Sequence, residues 1–223
     1  MMEVYEMTKQ MIGAILLMIV LAISVPMFVR TFIWKRFLKH MNANEDEKAL
    51  GILESWYYRI CFGGYNQKWN LLRFYISRNN TEKAKECVYG LLRDKLSKEQ
   101  SYQVFTNAFF YFTTIHDQEM SAKLLSRLDD ITEDDNREYF HMFYRIMIEN
   151  KSEDIKTVKK MIEDKEKEKD SPSREKQLGM LQYLLGIQYY NAKDEKEAEK
   201  WLRKALNHVK DSPLEKEIKK IIH

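Results

Sequence analysis

The sequence predicts an all-α protein. An N-terminal single transmembrane helix should lead into an α-solenoid of stacked helical hairpins, closed by a C-terminal capping helix. Three observations carry this expectation. Among 223 residues only 7 are glycine and 3 are proline, fewer than turn-rich β architectures use. From about residue 45 onward, apolar residues recur at three- and four-residue spacing, with no sustained alternation. The N-terminal region contains one long stretch without a charge, residues 11–29.

That stretch reads MIGAILLMIVLAISVPMFV, and no charge falls between Lys9 and Arg30. At a rise of 1.5 Å per residue it crosses about 30 Å, the thickness of a hydrocarbon core. Eleven of its residues are Ile, Leu, Val or Phe, worth roughly −3 to −7 kcal/mol of insertion free energy. A cleaved signal peptide fits less well, because the preceding MMEVYEMTKQ is not basic and no small-residue cleavage site follows. A buried core helix also fits less well beside so many basic residues. Arg30, Lys35, Arg36 and Lys39 follow the stretch, whereas only Lys9, with Glu3 and Glu6, precedes it. Basic flanks resist translocation, which places the N-terminus outside the cell membrane and the rest of the chain in the cytoplasm. Phe32 and Trp34 suit an aromatic anchor at the interface, and the basic group either signals topology or meets anionic lipid. The expected organisation is a short extracytoplasmic N-terminus (1–10), a span (11–29), a basic juxtamembrane segment with a connector helix (30–65) and a helical repeat domain (66–223).

Beyond the span, helices are expected over 46–62, 66–78, 81–95, 98–115, 118–129, 136–149, 152–166, 173–191, 194–209 and 213–222. Ser97 with Gln100, and Ser212 with Pro213 and Glu215, form capping-box patterns. The gaps at Asn79-Asn80, His116-Asp117, Asn150-Lys151 and Ala192-Lys193 are short and polar, so consecutive helices should fold back as hairpins over 66–95, 98–129, 136–166 and 173–209. Their second helices start near 81, 118, 152 and 194, steps of solenoid size. Gly63-Gly64 reads as a helix break.

The last hairpin, LLGIQYYNAKDEKEAEKWLRKAL, resembles a tetratricopeptide repeat. Leu185 and Gly186 fall on that family's Leu-Gly pair, Tyr189 on its tyrosine, and Ala198, Leu202 and Ala205 on the small, large and small positions of its second helix. Gln182 stands where the family has its tryptophan, and Lys210 where it has its closing proline. The earlier hairpins match in part. Ala84 takes the small position opposite Leu72 and Tyr75. Ala122 does so opposite Phe110 and Thr113, and Ile155 opposite Phe143 and Ile146. The segment 163–173, EDKEKEKDSPS, reads as an insertion.

Chemistry is hard to find. The chain lacks the glycine-rich phosphate loops and the G-x-S-x-G nucleophile motif. Its histidines, His40, His116, His141, His208 and His223, show no paired helical spacing for a metal. Cys61 and Cys87 stand alone and read as packing residues. A net charge of +3 makes no case for nucleic acid, and no cofactor is expected. What stands out is aromatic density, 13% of the chain, concentrated on the first helices of hairpins. In the resembling family those helices line a concave groove. Carried over by register, groove positions are Trp69, Arg73, Asn107, Tyr111, Phe140, Tyr144, Tyr183 and Tyr190. The resemblance thus implies a membrane-tethered scaffold or adaptor that binds a protein or peptide partner, without catalysis. The alternatives are an all-helical enzyme or small-molecule sensor at the membrane, or the same scaffold with its repeats outside the cytoplasm.

Overall fold

The computed structural model describes residues 2–209 and 213–222, and these are all-α, with twelve helices and no strand. The chain divides into two units, Met1–Leu96 and Ser97–His223. The expected capping box at Ser212, the displaced-proline position Lys210 and His223 lie outside the described residues.

In the first unit, α1 runs from Met2 to Asn42 as one uninterrupted helix of 41 residues, with Pro26 inside it. It therefore continues through the expected boundary at residue 29 and absorbs the start of the juxtamembrane segment. It is long and apolar enough to cross a membrane or to serve as a signal sequence. Its apolar side chains from Ile15 to Val29 are exposed, but Ile33 and Phe37 are buried under the rest of the unit. The expected connector helix 46–62 is two helices, α2 (Asp46–Glu54) and α3 (Trp56–Phe62). Ser55 breaks them apart. Its backbone is extended, and its side-chain oxygen accepts from the Tyr58 N–H as the N-cap of α3. The break expected at the double glycine is present: Gly63 has φ +85, a conformation that suits a residue without Cβ. The pair α4 (Gly64–Ser77) and α5 (Thr81–Leu92) completes the unit, with α4 packed on α2, α3 and α5. The first unit thus closes at Leu96, after the α4–α5 pair and not before it.

The second unit contains α6 (Lys98–Thr114), α7 (Gln118–Asp129), α8 (Asp134–Met147), α9 (Ile155–Glu166), α10 (Pro172–Asn191), α11 (Glu195–Leu206) and α12 (Pro213–Ile221). The Ser97–Gln100 capping box is formed in both directions. The pairs α6–α7 and α10–α11 pack side by side, as the short gaps predict. The pair expected over 136–166 does not. Here α9 lies against α10, while α8 packs on α6, α7 and α10. The connection runs from Ile148 to Asp154, longer than the two residues expected, and carries α9 away from its predecessor.

One turn geometry recurs. Asn44, Asn79, His116 and Lys193 adopt left-handed φ angles of 54, 52, 57 and 63. The next residue, Glu45, Asn80, Asp117 or Asp194, donates its N–H to the carbonyl five residues back at 2.9 Å, the closure of a helix C-terminus by a left-handed residue. The same residue opens the following helix. The side chains of Asn80, Asp117 and Asp194 accept from the N–H three residues on. Four residues after each helix-opening residue stands a buried one: Ala49, Ala84, Ser121 and Ala198, joined by Val158 after Asp154.

This frame corrects two register assignments. Ala122 is exposed; its neighbour Ser121 is buried and accepts from the Thr113 hydroxyl at 3.1 Å. Ile155 is half-buried, and Val158 fills the interior position. The helix start, set by the capping residue, decides which side chain faces inward. The presence of a conveniently small residue nearby does not.

The C-terminal helix α12 packs on α11 through the buried Ile218. Its Glu217 accepts from the Tyr183 hydroxyl at 2.9 Å. Burial raises the Glu217 carboxyl above the usual carboxylate range, and the tyrosine hydrogen bond opposes that shift. The folded chain therefore holds this proton more readily than the unfolded chain does. The stability contributed by the site is complete below about pH 4.5 and falls as pH rises through the elevated folded value. Glu217→Gln is expected to flatten that decline, so that α12 amides exchange more slowly than in the parent at pH 7 and equally at pH 4. Hydrogen exchange read at both pH values checks this; a parent-like decline in the variant would count against it.

Candidate functional site

The sequence-derived groove positions separate by environment. Trp69, Phe140 and Tyr183 are core residues, at 6%, 2% and 0% exposure. They are corrected from partner contacts to packing residues, because each lies on the inward side of its helix. Phe140 meets Phe109 and Tyr102 edge-on and Phe110 at a tilt. The Arg73 guanidinium lies 5.8 Å over the Trp69 ring. Asn107 is exposed and donates to the Gln103 carbonyl one turn back. Tyr111 and Tyr144 are half-buried. Tyr190 is exposed and lines a recess with Leu202, Ile221 and Ile222. Trp69 and Arg73 belong to the first unit and the other six to the second.

The repeat-signature residues lie where their sizes require. A Cβ on Gly186 would stand 2.7 Å from Leu202 Cγ and 3.1 Å from its backbone nitrogen. Leu185, Ala198, Leu202 and Ala205 are buried, and Tyr189 is half-buried beneath the Lys159 ammonium, 5.3 Å from its ring. Arg30, Lys35, Arg36 and Lys39 are exposed along α1, while Trp34 is half-buried against Phe37 and Phe62, with ring centroids 5.2 and 6.4 Å away.

The feature that sequence reasoning missed is a cleft created by the separation of α8 from α9. Its larger part holds about 410 Å³ and is walled by Phe110 of α6, Tyr139 of α8, Met161 of α9 and Met180 and Leu181 of α10, with Lys165 and Lys176 at the rim. A second part of about 300 Å³ continues past Tyr139 and Met161 to Met142, Asp135, Glu138 and Asp154. The cleft is thus apolar in the middle, basic at one end and acidic at the other. α9 packs on α10, and its Val158 and Ile162 are buried. Arg145 of α8 reaches across to the Asp154 carboxylate with Nε and Nη2 at 3.1 and 2.9 Å, in the two-pronged geometry that suits this pair, and its Nε also lies 3.5 Å from Glu153. Tyr139 is half-exposed, with its ring 6.2 Å from Phe110 in an edge-on arrangement. Loss of water around the phenol pushes its pKa up to about 12, so it stays a neutral hydroxyl at physiological pH. Lys165 pairs with Glu168 at 2.7 Å; Lys176 is exposed.

The cleft can bury apolar side chains and orient them by charge. Unbranched, polarizable methionines on two walls let it adapt to more than one shape. The only hint in the sequence was the aromatic run around Tyr139. The methionines fit an ordinary core pattern, and the gap depends on a helix pairing that the sequence misassigned. The cysteines are half-buried, and burial pushes the Cys87 thiol up to about 11, which keeps it protonated at neutral pH.

No protein-family model matches this chain, and neither a curated protein nor a solved structure shows significant similarity to it.

Proposed function

We propose that the chain is a membrane-tethered interaction scaffold that receives an amphipathic helix or peptide from a protein partner. The observation that carries this reading is the apolar cleft between α8 and α9, whose two ends bear opposite charge. An occupant with an apolar stripe, acidic residues toward Lys165 and Lys176, and basic residues toward Asp135 and Glu138 would match it in hydrophobicity and polarity. The recurring turns and the buried positions after them support a tetratricopeptide-like construction, in which hairpins stack to share a core. The exposed apolar side chains from Ile15 to Val29 of α1 and the basic residues that follow them on the same helix support a single-pass anchor with the helical body in the cytoplasm. Such tethering raises the effective concentration for partners in the same membrane.

A photo-crosslinker at Met180, in the full chain in native membranes, is expected to capture a defined partner. One at the exposed Lys156 on the outer side of α9 should not. Met180→Glu is expected to reduce recovery of that partner at least tenfold, since burying an unpaired carboxylate costs more than about 1.4 kcal/mol. Unchanged recovery with a folded Met180→Glu chain would remove the cleft from the account.

A further inference from the structure

Outside α1, the most exposed large apolar side chains among the described residues are Trp56 at 74% and Ile60 at 71%. Both lie on α3, four residues apart and so on one face. The opposite face is interior: Tyr58 is fully buried and stacks on Phe62, with ring centroids 4.4 Å apart. A hydrophobic face turned to water on a helix otherwise well seated calls for an occupant.

The position of α3 along α1 identifies it. Phe62 meets Trp34 of α1. The first unit covers α1 from Ile33 onward, four residues and about 6 Å along the axis beyond Val29. A bilayer's polar layer adds about 5–7 Å on each side of the hydrocarbon. The edge of the unit at Ile33 and Trp34 therefore lies at about headgroup depth when residues 11–29 fill the hydrocarbon. Exposed Arg59 beside the Trp56–Ile60 face and Arg30 on α1 supply positive charge next to the bilayer, with Lys35, Arg36 and Lys39 following farther along α1. Tryptophan with a flanking arginine is the composition that settles at a lipid–water boundary.

We infer that α3 is a second membrane contact, whose Trp56–Ile60 face seats in the headgroup layer of an anionic leaflet beside the span. The inference rests on reading α1 as a membrane span. Two seats on one bilayer, one crossing and one lying in the interface, hold the first unit in a defined attitude.

The test uses the full chain reconstituted in vesicles of phosphatidylcholine and phosphatidylglycerol. One variant keeps only Trp56 (Trp34→Phe, Trp69→Phe, Trp201→Phe), and another keeps only Trp34 (Trp56→Phe, Trp69→Phe, Trp201→Phe). Lipids spin-labelled near the headgroup are expected to remove about half or more of the Trp56 emission, which should also be blue-shifted and shielded from iodide. In vesicles of phosphatidylcholine alone that quenching should weaken; equal quenching there would overturn the anionic preference. Trp56 quenched by iodide, with Trp34 still quenched by lipid, would overturn the inference and leave the span intact. Trp56 shielded from both quenchers would assign its face to a protein instead. If neither tryptophan responds to lipid and carbonate extracts the chain, the span reading fails first and takes this one with it.

Discussion

Replacing Phe143 by alanine should cost the second unit about 3–5 kcal/mol of stability. Phe143 is fully buried, with ring centroids 4.9 Å from Phe110 and 6.0 Å from Phe109, and Phe109 in turn lies 5.5 Å from Phe140. These rings join α6 to α8, two helices that are not consecutive in sequence. Truncation would remove the burial of a whole ring and leave a void whose walls are themselves rings in fixed edge-to-face contact, which relax poorly. Trp201, half-buried on α11 with its indole N–H donating to Glu197, provides a fluorescence probe of the same unit. The measurement is denaturant unfolding of the full chain in detergent; a loss below about 1 kcal/mol would mean the cluster repacks around the gap.

Gly186 should be sensitive for the opposite reason. Alanine in a helix interior normally gains about 1 kcal/mol over glycine. Here the added methyl would meet the Cγ and Cδ2 of Leu202 at 2.7 Å and the Leu202 backbone nitrogen at 3.1 Å. Leu202 is fully buried, and its backbone nitrogen cannot yield without parting α10 from α11. Overpacking of this kind costs about 1–3 kcal/mol; set against the alanine gain, Gly186→Ala is expected to lose up to about 2 kcal/mol net, with Gly186→Leu losing more. Leu202→Ala in the Gly186→Ala background should recover part of the loss, giving a coupling of about 0.5 kcal/mol or more in a double-mutant cycle. Strict additivity would show that the two residues do not compete for space.

The helical class and most of the helix ends were legible because they rest on local chemistry. Caps such as Asn80, Asp117 and Asp194 announce a helix by side chain alone, and the scarcity of glycine and proline excludes most alternatives. Gly186 was legible as a close crossing because only a missing side chain makes one possible. Inward registers were harder. Ala122 drew attention by its size, yet Ser121 turns inward, because register is counted from the cap. The aromatic residues misled in a similar way: Trp69, Phe140 and Tyr183 have the composition of a binding surface and the burial of a core. The cleft beside α9 was invisible because nothing local distinguishes a connection that folds a helix back from one that sends it to another neighbour. That choice is made by tertiary packing, here of α9 on α10.

The unbroken run of α1 from Met2 to Asn42 has a mechanical meaning. At 1.5 Å per residue it is a rod about 60 Å long, and no flexible leash interrupts it before Ile33 and Phe37 are clasped by the first unit. Seated in a bilayer, such a rod passes its motions on. When the surrounding lipid thickens or thins, a long apolar segment answers by leaning, and the clasped body must lean with it. The attachment would then act as a lever, through which changes in the lipid sheet become changes in the angle at which the first unit is held.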